Sequence, residues 1–92
     1  MSNPADEPTL KELIEYIAMS LVDQPQDVEV KAVESESSII IELRVAPNDV
    51  GKVIGKGGQT AKALRKILSA AATKHRKKSL LQIVEEDRHA PE

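Results

Sequence analysis

A chain of 92 residues is sized for one small domain, with little room for a deep enclosed pocket. It has no cysteine, which excludes disulfides, thiolate metal sites and cysteine nucleophiles; its two histidines, His75 and His89, stand too far apart to begin a zinc site; no apolar run approaches a membrane span. The net charge of −2 hides a strong asymmetry: residues 1–49 hold 3 basic and 11 acidic residues, residues 50–84 hold 9 basic and no acidic ones, and residues 85–92 hold 1 basic and 4 acidic.

Residues 1–8 are polar, contain Pro4 and Pro8, and are expected to be frayed. Thr9 and Glu12 stand at capping-box spacing, where each side chain satisfies a backbone donor of the other. Leu10, Leu13, Ile14, Ile17, Ala18 and Leu21 then recur at helical spacing as one apolar stripe, and Pro25 stops the helix near Val22 or Asp23. In VEVKAVE, residues 28–34, Val28, Val30 and Ala32 alternate onto one face of a strand. Val33 breaks that pattern and predicts either a bulge or a second apolar contact. Ser35, Glu36 and Ser37 read as a turn. In SIIIELRVA, residues 38–46, Ile39, Ile41, Leu43 and Val45 face one way and Ile40, Glu42 and Arg44 the other, so the two strands form a hairpin. If one face of the sheet lacks helices, Ile40 and Val33 mark a protein contact there, or else a minor irregularity of packing.

Pro47 ends the second strand, and Asn48 or Asp49 is placed to cap a short helix running to about Ile54. The glycine-rich stretch GKGG, residues 55–58, follows. From Gln59 or Thr60 to about His75 the pattern is helical again, with Leu64, Ile67, Leu68 and Ala71 on one face and Lys62, Arg65 and Lys66 opposite. HRKKS leads into a third strand, LLQIVE, at 80–85, and 87–92 read as a disordered acidic tail. A single domain therefore spans 9–86. The first twenty residues carry four acids and no long apolar run, so no secretory signal is expected, and the chain is placed in the cytoplasm without membrane contact.

The basic segment points to a polyanionic partner, while the lone aromatic residue, Tyr16, weakens any mechanism based on aromatic base stacking. The glycine loop is not a nucleotide-hydrolase loop. A Walker A motif needs four residues between its first glycine and Gly-Lys, then Ser or Thr; here three residues separate Gly51 from Gly55, and Lys56 is followed by Gly57. Nor is it a dinucleotide fingerprint, because Thr60 stands where the third glycine belongs and the preceding element is helical. What fits is a turn between two helices. Glycine takes positive φ at no steric cost and lets a bulky ligand approach the main chain. The following helix N-terminus and Lys56 add positive charge, giving a cradle for a sugar–phosphate strand and no chemistry upon it.

VIGKGGQTAKALRKIL, with two strands before it and one after, resembles a KH domain, in which a Gly-x-x-Gly loop joins two helices and clamps RNA backbone. Its length and element order resemble the small stand-alone bacterial KH-domain RNA-binding proteins of the KhpA type. The resemblance implies an α+β fold of KH type II: helix, strand, strand, helix, loop, helix, strand, with helices packed on one face of a three-stranded mixed sheet. It implies that Gly55, Gly57 and Gly58 contact phosphate and that Lys52 and Lys56 contact the backbone. Val53 and Ile54 become the apolar floor of a groove, or else ordinary core. Lys62, Arg65 and Lys66 continue the basic strip, or else are solvated charges; Lys74, Arg76, Lys77 and Lys78 grip flanking RNA, or else favour a helix C-terminus. The implied partners are single-stranded RNA, with single-stranded DNA open, and a second KH module, as a homodimer or a heterodimer with a larger KH-domain protein. The implied role is non-catalytic, without cofactor or metal: a post-transcriptional regulator or RNA chaperone affecting cell elongation and division. The rival reading is a ribosome-assembly or protein-interaction adaptor that keeps the scaffold.

Overall fold

A computed structural model describes residues 8–85 of the chain. Most of the frayed N-terminus and the acidic tail anticipated above lie outside the described residues. The capping box forms as its spacing requires: the Glu12 N–H donates to Thr9 Oγ1 at 3.0 Å and the Thr9 N–H to Glu12 Oε1 at 2.9 Å. Helix α1 (Leu10–Leu21) starts there and buries Ile14 and Ala18 completely.

Strands β1 (Glu29–Glu34) and β2 (Ser38–Arg44) pair antiparallel without interruption, from Glu29 opposite Arg44 to Glu34 opposite Ile39. Val33 therefore sits in a regular ladder and not in a bulge. Strand β3 (Lys78–Val84) pairs parallel with β2, giving a mixed sheet of order β1-β2-β3. It starts two residues earlier than the apolar pattern suggests. Lys78 and Ser79 are drawn into the sheet by their partners Ser38 and Ile39, and the Lys78 N–H donates to the Ser37 carbonyl at 2.9 Å.

Helices α2 (Val50–Ile54) and α3 (Gln59–Lys74) connect β2 to β3. The core joins Ile14 and Ala18 of α1 to Val53, Leu64, Leu68 and Ala72 of the connecting helices, and all of these to Val30, Ile39, Ile41, Leu43 and Leu81. Each fully buried leucine or isoleucine here contributes about 1.5–3 kcal/mol relative to exposure. All helices thus lie on one side of the sheet, the arrangement the resemblance implies. Among the described residues no helix is long and apolar enough to cross a membrane.

Two further details depart from the sequence reading. The buried stripe of α3 is Ala61, Leu64, Leu68 and Ala72, while Ile67 is 44% exposed. Two alanines let the helix lie close to its neighbours, and the stripe rotates away from Ile67. Asp49 makes no side-chain cap on α2. Its carboxylate is buried and accepts the Gln24 N–H at 3.0 Å, fastening the α1–β1 connection to the start of α2.

Candidate nucleic-acid interface

The reversal between α2 and α3 is carried by residues 55–58 alone, and it needs three left-handed residues. Gly55, Gly57 and Gly58 have φ of 79°, 62° and 77°. At Gly55 space is also short: a Cβ would stand 2.3 Å from Thr60 Oγ1 and 2.8 Å from Thr60 N. At Gly57 and Gly58 a Cβ would meet nothing within 4 Å. The outer surface of the loop is therefore bare main chain open to solvent. The turn is held from inside, with the Gly55 N–H donating to the Gly51 carbonyl at 2.8 Å and the Gly58 N–H to the Gly55 carbonyl at 3.0 Å.

Helix α3 starts at this loop with no side-chain cap. Its first turn carries the positive end of the macrodipole, equivalent to roughly half an elementary charge. Lys56 is exposed in the loop. Lys52, one turn before it on α2, lies 3.5 Å from Asp23 Oδ2, with both side chains exposed. A surface pair of this kind contributes about 0–1 kcal/mol and exchanges readily for a phosphate. Lys62 and Lys66 stand one turn apart on the exposed face of α3. Arg65, at the flank of that face, donates from Nε to the Leu81 carbonyl of β3 at 3.4 Å.

Some of the anticipated residues are placed differently. Val53 is fully buried in the core and offers no surface, whereas Ile54 is half-buried beside the loop. The apolar floor available to a ligand is thus Ile54, with Val53 beneath it as support. Lys77 bonds to the Glu34 carboxylate and to the Ser35 carbonyl at 2.7 Å, which ties the α3–β3 corner to the β1–β2 turn. Lys74, Arg76 and Lys78 remain exposed.

Sequence reasoning missed the fastening of α2. Asp23 and Gln24 meet Lys52 and Asp49, so two successive loop residues grip one turn of chain at the start of the helix that carries the loop. An aspartate before a short helix reads locally as a cap, and no local signal reveals a partner 25 residues away.

Residues 11–83 match the family model described as KhpA/KhpB, KH domain. The RNA-binding protein KhpA of Clostridium perfringens is 56% identical over 75 residues, covering 82% of this chain and 100% of the relative. The protein of the same name from Halalkalibacterium halodurans is 53% identical over 76 residues, covering 83% and 100%, and that of Chlamydia trachomatis 46% over 77 residues, covering 84% and 99%. Among solved structures, Aquifex aeolicus Era bound to GDP and AlF4− superposes with a TM-score of 0.58 at 23% identity, over 89% of this chain and 33% of that one. Era in complex with MgGDPNP and nucleotides 1506–1542 of 16S ribosomal RNA gives 0.58 at 22%, over 99% and 38%. At those identities the likeness is one of fold, and this chain spans only 33% and 38% of the two Era chains.

Proposed function

The chain belongs to the KhpA/KhpB KH domain family, and from that premise we propose that it binds single-stranded RNA by laying the RNA backbone against residues 55–58. The protein is a non-catalytic RNA-binding KH domain, like the relatives that carry the name. The observation that carries the finer reading is the empty space over Gly57 and Gly58, beside exposed Lys56 and the uncapped start of α3. A phosphate there reaches main-chain amides without displacing a side chain, and Lys52, Lys56, Lys62 and Lys66 supply the countercharge. Arg65 and Ile54 border the same surface and meet the bases. With no aromatic side chain in this region, base selectivity is weak and single-stranded DNA competes.

Such a module binds weakly alone, so pairing with another KH module, in a second copy or a larger KH-domain protein, raises avidity. The biological reading follows the resemblance: post-transcriptional control or RNA chaperoning in the cytoplasm, with effects on cell elongation and division. The adaptor reading is less well supported, because an adaptor has no use for a main-chain surface kept clear.

The test is the double variant Lys56→Asp with Gly57→Asp. Aspartate tolerates the left-handed region better than most residues, and a Cβ at position 57 meets nothing within 4 Å, so the fold is expected to survive. Fluorescence anisotropy with a short single-stranded RNA is expected to show at least a tenfold loss of affinity. For the unaltered protein, log K against log salt is expected to fall with a slope of roughly −3, the value for about four neutralised phosphates on a single strand. Unchanged binding in the double variant, or a slope near zero, overturns the reading in favour of the adaptor.

A further inference from the structure

The chain leaves the sheet at the end where the glycine loop lies. Helix α3 and strand β3 are neighbours joined by a tight corner at 75–77, and they run antiparallel. Partway along both, Arg65 Nε donates to the Leu81 carbonyl at 3.4 Å. From that bond the strand advances about 10 Å to Val84, and the helix runs back about 9 Å in the same direction to Gln59. The end of β3 therefore stands level with the first turn of α3, about one helix width from residues 55–58, roughly 10–12 Å. Glu85 is exposed there and is the last described residue. The N-terminal acids attach at the opposite end, since Pro8 and Thr9 line a groove with His75, the residue that ends α3. Glu36 lies at that end too, in the turn whose Ser35 carbonyl accepts from Lys77.

Residues 50–84 contain no acid, and residues 85–92 set Glu85, Glu86, Asp87 and Glu92 against Arg88 alone. Lys56, Lys62 and Lys66 have no ion-pair partner among the described residues. The family match ends at residue 83, and 82% of this chain covers all of the Clostridium perfringens relative, so the ends of this chain extend beyond the shared module. An acidic segment thus begins one helix width from a basic surface that lacks counterions of its own.

We propose that residues 85–92 act as an internal competitor of RNA, their carboxylates standing in for phosphates on Lys56, Lys62 and the clear main chain at Gly57 and Gly58. Length permits it: eight residues span up to about 26 Å when extended and about 15 Å as a flexible chain, more than the distance to be crossed. A short tether of this kind gives an effective concentration of roughly millimolar order, so a carboxylate segment that binds with only a millimolar constant leaves about half of the loops free. RNA then meets only that free fraction, and every affinity falls by the same factor. Strands held by charge alone drop below occupancy first, while those that also engage Ile54 and Arg65 remain bound. The inference rests on the reading that RNA lies against residues 55–58.

Two full-length variants of equal charge change test it, each with three size-conserving substitutions. One carries Glu86→Gln, Asp87→Asn and Glu92→Gln in the tail; the other carries Asp6→Asn, Glu7→Gln and Glu36→Gln at the far end. Without RNA, at about 50 mM salt, the tail variant is expected to shift the amide resonances of residues 56–60, equally at every protein concentration. The shifts are expected to vanish in about 0.5 M salt, where the screening length is roughly 4 Å. Fluorescence anisotropy with a short single-stranded RNA is expected to show the tail variant binding about three- to tenfold tighter than the unaltered protein at the lower salt, and within about twofold at the higher. The far-end variant is expected to leave both readouts unchanged.

Loop amides that do not move overturn the inference. So does a far-end variant that gains as much affinity as the tail variant, because net charge alone then explains the gain. Shifts that grow with protein concentration place the tail on another molecule and overturn it as well. Within the Lys56→Asp, Gly57→Asp double variant, neutralising the tail is expected to gain less than about twofold. A double variant that keeps its RNA affinity overturns the loop reading and the competition with it. One that loses affinity, while the tail variant gains none, overturns the competitor and leaves the loop reading standing.

Discussion

Among the described residues, two corners place residues in the left-handed region, and they do so with opposite materials. Between α2 and α3 the residues are Gly55, Gly57 and Gly58; after α3 the residue is Arg76, at φ 60°. The second corner is a Schellman motif, with the Arg76 N–H donating to the Thr73 carbonyl at 2.9 Å and the Lys77 N–H to the Ala72 carbonyl at 3.0 Å. There the chain accepts the roughly 1–2 kcal/mol that a side chain costs at positive φ. A helix in this protein can therefore end without glycine. The glycines at 57 and 58, where a Cβ would meet nothing, do more than reverse the chain. They keep a surface clear.

The comparison breaks most sharply at Gly55, where both reasons for glycine coincide. Gly55→Ala drives a Cβ into the Thr60 backbone nitrogen as well as its side chain, and a backbone neighbour cannot rotate away. Urea denaturation is expected to show a loss of about 3 kcal/mol, in the range of overpacking combined with backbone strain. A loss below 1 kcal/mol shows that the loop relaxes freely, and the distinction between Gly55 and its neighbours then collapses.

The next largest effect lies at the start of α2. Asp49→Ala leaves the Gln24 N–H without its acceptor in a partly buried setting, which costs about 1–3 kcal/mol. Asp49→Asn keeps an oxygen in place and is expected to lose less than half as much. If the two variants lose equally, the buried charge, and not the hydrogen bond, is what fastens α2.

Gly57→Ala and Gly58→Ala sharpen the comparison directly. Each is expected to cost about 1 kcal/mol of stability, the strain of a left-handed alanine without a clash. RNA affinity, measured well below the melting temperature so that both proteins are fully folded, is expected to fall three- to tenfold. Stability lost without affinity lost reduces both glycines to turn formers, like the residue at the other corner.

How much of this was legible in the sequence follows from how local each cause is. The capping box, the alternation of β2 and the four residues of the loop act within a few positions, and their patterns state them. The inward face of α3 was misread at Ile67 because alanine carries little hydrophobic signal, and Ala61 and Ala72 face the core only because close packing needs them small. Asp49, Lys77 and the early start of β3 depend on partners far along the chain: Gln24, Glu34 and Ser38. The row of exposed apolar residues on the open face of the sheet was half visible. Val33 and Ile40 stood out against their strands, but Leu80 joined them only when the parallel register was known.

The smallest expected effect tests the other half of the comparison. Arg76→Gly removes the left-handed strain of about 1–2 kcal/mol but restores backbone freedom to the unfolded chain, which takes back about 0.4–1 kcal/mol. The net gain in stability is expected to be near 0.5 kcal/mol, read as a rise of a few degrees in Tm. RNA affinity is expected to change less than twofold, because the corner that holds Arg76 sits at the far end of a 16-residue helix, about 24 Å from the loop at 1.5 Å per residue. Arg76→Asn separates charge from conformation: it keeps the left-handed preference, loses the same guanidinium, and is expected to match glycine in affinity while falling short of it in stability. A large affinity loss in both variants makes Arg76 an RNA contact that justifies its strain, and the two corners then share one purpose.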